Sequence, residues 1–166
     1  NASDVFGFEV AIAGNHLAIG AYGNDSLASN SGSIYTFAFN GTSWTQGQKL
    51  TASDGAASDN LAYILDIDGD TIVAGAFGAD AMAVDSGAAY VYYYNGTTWA
   101  QQAKLTASDG AAGDRFGFGV SVSGDRIVIG ADSADTAIGG NSGAAYVYSR
   151  HADSTWTQTA KLVASD

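Results

Sequence analysis

At 166 residues, 46% of them apolar, the chain is long enough for one domain with a real core. Its net charge of −11 repels nucleic acid and sets that class of partner aside. It has no cysteine, which excludes disulfides and thiolate metal sites, and no proline. No apolar run approaches the roughly 20 residues of a membrane span, and no signal peptide is visible. Only 14% of residues are charged, so the polar surface falls mainly to Ser, Thr, Asn, Gln and Gly. The chain starts at Asn1 rather than Met, so it reads as a processed product or a piece of something longer.

In chain order, the first strand signal covers residues 8–13, and Gly14-Asn15 follows as a tight turn. A second strand covers 17–21. A Gly-, Ser- and Asp-rich loop leads to a third strand over 33–39. Asn40-Gly41 then reads as a hairpin turn with φ > 0 at both central residues. A fourth strand runs from Trp44 to Leu50.

The same four signals return twice. The second strand recurs at 72–76 and 127–131, the third at 88–94 and 144–150, and the fourth from Trp99 to Leu105 and from Trp156 to Leu162. The turns recur as Gly69-Asp70, Gly124-Asp125 and Asn95-Gly96. Three units therefore cover one repeat domain, 1–166: residues 5–59, 60–114 and 115–166. The third carries short insertions near Gly139-Gly140 and at 151–154. Three hairpins in succession make each unit a meander.

The second strand is apolar throughout in Ile127-Val128-Ile129, which predicts burial on both faces. The third alternates Tyr90, Tyr92 and Tyr94 with Val91 and Tyr93. A sheet covered on both faces sits between two neighbours, as the blades of a propeller do. An end blade without a neighbour exposes an apolar face. The expected fold is all-β: three tandem four-stranded antiparallel blades of a β-propeller. A three-fold β-prism or β-trefoil also fits three four-stranded units.

Phe6-Gly7 and Phe116-Gly117, with Gly20-Ala21, Gly75-Ala76 and Gly130-Ala131, give the chain its family likeness. It resembles the FG-GAP repeat family, in particular its bacterial exported branch, whose blades also build the integrin α-subunit propeller. The second unit departs from the pattern, with Leu61-Ala62 where Phe-Gly is expected. The resemblance implies a secreted or cell-surface protein, bacterial in source, with adhesion, ligand-binding or scaffolding roles. Three blades do not close a ring. Either further blades belong to a longer chain or copies associate, and two copies would supply six blades.

The integrin-type calcium loop between the first two strands has shrunk here to a two-residue turn. Asp66-Ile67-Asp68-Gly69-Asp70 has its glycine and following residues out of place for an EF-hand and reads as a plain hairpin. In the loop after the second strand, Asp25, Asp80 and Asp135 are equivalent, as are Asn30, Asp85 and Asn141. Their oxygens suit calcium, the one cofactor the sequence suggests, but Asx turns are the favoured reading of the same residues.

Asp54, Asp59, Asp109 and Asp114 recur in the linkers and are expected to tie the crossings to backbone N–H groups. Trp44, Trp99 and Trp156 read as blade-to-blade packing. Lys49, Lys104 and Lys161 read as edge charges against strand addition. His16 and His151 lie at or beside turns and read as solvated. Sequons occur at Asn1, Asn24, Asn40 and Asn95.

No G-x-S-x-G or H-E-x-x-H motif occurs, and nothing in the spacing brings two carboxylates together, so an enzyme is not expected. The function read from the sequence is a non-catalytic extracellular module that associates with copies of itself or with further blades. An adhesin- or lectin-like module, binding a glycan or an extracellular protein with or without calcium, is the alternative.

Overall fold

This computed structural model describes residues 3–137 and 139–165. Among them are twelve strands and no helix. Blade 1 is β1 (Val10–Ala13), β2 (His16–Ala21), β3 (Ser33–Phe39) and β4 (Trp44–Leu50). Blade 2 is β5 (Leu65–Asp68), β6 (Thr71–Ala76), β7 (Ala88–Tyr94) and β8 (Trp99–Leu105). Blade 3 is β9 (Phe116–Ser123), β10 (Arg126–Ala131), β11 (Ala144–Arg150) and β12 (Trp156–Leu162). Each blade is a separate antiparallel meander in sequence order.

The first turn of each blade is a two-residue loop. In blade 1, Ala13 pairs with His16 across Gly14-Asn15. Gly14, Gly69 and Gly124 have φ of 54°, 52° and 53°, and the residue after each stays at negative φ, the pattern of a II′-type turn. The Asn-Gly turns differ from the expectation. Phe39 pairs with Trp44, so the loop has four residues, and only Gly41 (φ 94°) is left-handed. Asn40 instead accepts hydrogen bonds on Oδ1 from the N–H groups of Thr42 and Ser43. Asn95 does the same for Thr97 and Thr98. A side chain that mimics the turn backbone removes the need for a second positive φ.

Blade 2 is buried on both faces, and all six residues of β6 are buried. One apolar cluster joins Ala18 and Ile34 of blade 1 to Ile67, Ile72, Ala74 and Tyr90 of blade 2. A second joins Val73, Ala89 and Val91 of blade 2 to Phe116, Val122, Ile127 and Tyr146 of blade 3. Alternate residues of β6 thus serve opposite neighbours, which is what the period of two demands.

The core therefore lies in two seams of a linear stack. A prism or trefoil would bury all three units around one shared core, and this arrangement excludes both. The first strands β1, β5 and β9 lie side by side, whereas β4 and β8 barely touch. The sheets fan out from a common inner edge as propeller blades do.

Candidate functional site

The grip at the seams has four components: the first two recur alike at both seams, the third differs between them, and the fourth joins only blades 2 and 3. The first is the chain's entry into a new blade. Leu61 and Phe116 make parallel bridges to Gly32 and Gly87 of the preceding blade. Leu61 N–H donates to Ser31 O, and Phe116 N–H to Ser86 O, at 3.2 and 3.0 Å. No side chain fits beneath them, because a Cβ on Gly87 would come within 2.0 Å of Phe116 O.

Gly75 of β6 is under the same constraint from Gly117 O, at 1.8 Å. These contacts are the physical content of the Phe-Gly and Gly-Ala elements. In the second unit, Ala62 takes φ 65° where Gly7 and Gly117 have 88° and 94°. Its N–H still reaches Gly75 O of its own blade at 2.9 Å and its carbonyl still lies against Gly20 of blade 1, so the missing glycine does not loosen the seam.

The second component holds the linker. Gln101 accepts from Ser53 N–H and donates to Ser53 Oγ. Gln158 does the same to Ser108. Asp54 accepts from Tyr90 Oη at 2.8 Å and from Lys104 Nζ at 2.6 Å. Asp109 accepts from Tyr146 Oη at 2.9 Å and from Lys161 Nζ at 2.7 Å. Lys104 and Lys161 therefore clasp linkers and lie beside tyrosine rings, rather than guarding an edge, whereas Lys49 donates to Asn24 Oδ1 in the loop of its own blade at 2.7 Å.

Asp59 and Asp114 bond backbone N–H groups as expected, those of Ala56 and Ala111. Asp54 and Asp109 do not; their partners are side chains of the next blade. Lys161 holds the Asp109 carboxyl below the usual aspartate range, against the effect of burial. Burial pushes Asp54 up, but the hydrogen bonds from Lys104 and Tyr90 outweigh it and leave it lowered. Asp59, without a cation in contact, is raised by burial.

The third component is tryptophan. Gln48 of blade 1 brackets the Trp99 backbone, accepting from its N–H and donating to its carbonyl. Trp156 Nε1 donates to Gln102 Oε1 of blade 2 at 2.8 Å. His16 packs against Tyr94 and Trp99 with ring centres 4.8 and 5.6 Å away, so it is a seam residue and not a solvated one. A cleft of about 200 Å³ opens beside it. His151 lies in the exposed loop and bonds Thr157 Oγ1.

The fourth component was not legible in the sequence. Asp66 Oδ2 accepts from Val122 N–H and Ser121 Oγ, and Asp68 Oδ2 from Gly124 N–H. The acidic alternation that resembles a calcium loop is a cross-blade tie. The signal available was that both acids share one face of β5.

At the two ends the grip lacks its other half. Phe6 is 54% exposed, whereas Leu61 and Phe116 are 0% exposed. Trp44 is 39% exposed, against 5% for Trp99 and 9% for Trp156. Val10 and Ile12 on blade 1, and Val128, Leu162 and Val163 on blade 3, are also exposed.

A different feature crosses the linker end of the stack. Phe8, Tyr22, Tyr63, Phe77 and Phe118 form a continuous row of ring contacts over all three blades, with Arg115 4.1 Å above the Phe118 ring.

The residues singled out for calcium sit as three separate pairs. Asp25 Oδ1 accepts from Asn30 N–H, Asp80 from Asp85 N–H and Asp135 from Asn141 N–H, at 2.7 to 2.8 Å. Asn30, Asp85 and Asn141 each adopt φ near +50°, which these residue types tolerate. Among the described residues, no three His, Cys, Asp or Glu side chains group to hold a metal. The Asn24 sequon is buried, with Nδ2 donating to Asp4; those at Asn40 and Asn95 lie on exposed turns, and Asn1 lies outside the described residues.

Fold and seam together define a stack of three β-propeller blades. The FG-GAP repeat pattern matches residues 1–37, 44–92 and 99–148, and the chain belongs to that family. The crystal structure of Saccharomyces cerevisiae Sqt1 is similar in fold, with a TM-score of 0.63 at 10% identity, over 99% of this chain. The chain spans 37% of that structure's length. No curated protein matches.

Proposed function

We propose that this chain is a non-catalytic protein-association module that works outside the cell, and that the partner it takes up is another blade. The observation that carries this reading is the contrast between equivalent positions. Phe6, Ile12 and Trp44 are exposed where their counterparts in blades 2 and 3 are buried. A large apolar patch rimmed by polar residues favours association. Burying one such side chain contributes about 1.5–3 kcal/mol, so several together outweigh a modest ordering cost.

The test is light scattering over a wide concentration range. Species heavier than the 16.8 kDa single chain are expected. A single-chain mass at every concentration would overturn the reading.

The aromatic row favours a second reading, a lectin- or adhesin-like module that stacks a ligand across the linker end. Enrichment on a glycan array that is lost on Tyr63→Ala and Phe118→Ala would support it. The exported, bacterial setting expected from the sequence goes with either reading.

A further inference from the structure

We infer that blade 1 of one copy docks on blade 3 of a second copy, head to tail, by the same grip that joins blades within the chain. Two copies then form one six-bladed ring. This rests on the association reading above and names its partner and geometry.

Both halves of the empty grip are already shaped. On the tail, Gly130 stands where Gly20 and Gly75 stand. Those two are covered by Ala62 and Gly117 of the next blade, whereas Gly130 meets nothing closer than its own Gly119, at 3.7 Å. Gly143 has φ 78°, matching the 82° and 81° of Gly32 and Gly87, but no incoming strand lies on it. Asn141, with φ 52°, repeats Asn30 and Asp85.

On the head, Val5 has φ 55°, matching Asn60 (57°) and Arg115 (59°). Gly7 has the left-handed φ of Gly117. Phe6 already lies edge-on to Tyr35 at 5.3 Å, as Phe116 lies to Tyr146 at 5.4 Å.

Docking pairs Phe6 with Gly143. Val5 N–H then meets Asn141 O and Phe6 N–H meets Ser142 O, as Asn60 and Leu61 meet Asn30 and Ser31. Ile12 meets Val128, as Val122 meets Val73 in the second seam.

The linker clasp points to the same partner. Gln46 and Tyr35 occupy the positions of Gln101 and Tyr90. Among the described residues neither side chain has a hydrogen-bond partner, whereas Gln101 and Tyr90 hold Ser53 and Asp54. The phrase those residues recognise, Ala-Ser-Asp, recurs in the sequence as Ala164-Ser165-Asp166. One contact thus offers the tail's Ser165 to the head's Gln46, and the head's Phe6-Gly7 to the tail's glycine groove. The surfaces are not self-complementary, so the contact is heterologous, and it must close or polymerise. Six blades fall within the four to eight that propellers use.

Two variants test the inference by light scattering: Phe6→Asp, which spoils the head, and Val128→Asp, which spoils the tail. Both positions are on the surface of a single copy, and far-ultraviolet circular dichroism and a melting curve check that each variant is folded. The wild-type chain is expected at twice 16.8 kDa and each variant alone at 16.8 kDa. An equimolar mixture is expected to regain the two-copy mass, since the intact tail of one meets the intact head of the other.

If either variant alone keeps the wild-type mass, or the mixture stays single, head-to-tail docking is overturned while association itself stands. If the wild-type chain never exceeds one copy, the association reading fails as well.

Discussion

Ile67 of blade 2 and Ile12 of blade 1 occupy the same place in the repeat, yet the first is 6% exposed and the second 61%. The hydrogen-bonded register around them is the same, with Ile67 opposite Ile72 and Ile12 opposite Leu17. Strand and hairpin are therefore specified within one unit, while burial is supplied by the neighbour. The repeat folds locally and is stabilised by stacking, the behaviour of a one-dimensional array. Substitutions at matched positions should separate these two contributions.

The largest difference is expected at the entry phenylalanines. Phe116→Ala removes a fully buried ring between blades 2 and 3 and should cost about 3–5 kcal/mol. Phe6→Ala, measured by urea unfolding at concentrations where the chain is single, should cost less than about 1 kcal/mol. Equal losses would mean that blade 1 is not an open end.

The strand-two glycines come next. Gly75→Ala drives a methyl group into Gly117 O, and neither backbone can move cheaply, so a loss of about 1–3 kcal/mol is expected. At Gly130 the new methyl group meets only Gly119, in ordinary van der Waals contact at 3.7 Å, and φ is ordinary, so the single chain should hold its stability or gain about 0.4–1 kcal/mol. The same Gly130→Ala change fills the groove that a second copy needs. A variant that is stable as a single chain but unable to pair would tie the two observations together.

Tyr92 and Tyr148 share a repeat position and differ in their hydroxyls. Tyr148 Oη donates to Thr106 O across the seam, whereas Tyr92 Oη is buried with no hydrogen-bond partner among the described residues. Tyr148→Phe should lower stability by about 1 kcal/mol, and Tyr92→Phe should leave it unchanged or raise it. Blade 1 already carries Phe37 at this place. Thermal melts of the two variants decide the point.

The loops after the second strands should show a smaller effect. Asp80→Ala removes one 2.8 Å bond to Asp85 N–H on an exposed loop and should cost about 0.5–1.5 kcal/mol. Asp25, Asp80 and Asp135 are each already engaged by their own loop's backbone, so a chelator should not shift the melting temperature. A rise on adding calcium that is abolished by Asp80→Ala would give these loops a metal.

The repeat and its strands were legible because alternation and Gly-rich turns are local signals; burial on both faces holds for β6 but not for Ile127-Val128-Ile129, from which it is read, because Val128 lies on the open end and is 41% exposed. Strands three and four were placed to the residue. Blade-to-blade tryptophan packing was legible because a large ring recurs next to each hairpin turn. What the sequence could not carry was direction across the seam. Lys104 reads as an edge charge until Asp54 is known to lie against it. Asp66 and Asp68 read as a hairpin or a cation loop until β9 is beside them. Asn40-Gly41 misleads for a different reason: the dipeptide serves a two-residue and a four-residue loop equally, and the Asn40 side chain decides between them.

The weakest contrast is in pH, and it separates the clasped from the unclasped linker acids. Asp54 and Asp109, held below the ordinary 3.8, lend stability that is complete above that value and lost as pH falls through their lower folded values. Asp59 runs the other way: raised in the folded chain, it favours folding in acid and gives up that advantage as pH rises past its folded value. The two act in different windows: below 3.8 Asp59 is protonated in the folded and the unfolded chain alike, so the acid limb there belongs to the clasped acids. Each pair is half exposed on the carboxylate side, so it contributes only about 0–1 kcal/mol. Lys104→Met with Lys161→Met should flatten the acid limb of a stability–pH curve, while Asp59, relieved of the Lys104 charge, moves further up. If the limb keeps its slope in that double variant, the clasps are geometric and not electrostatic, and the seams are held by their apolar contacts and backbone bridges alone.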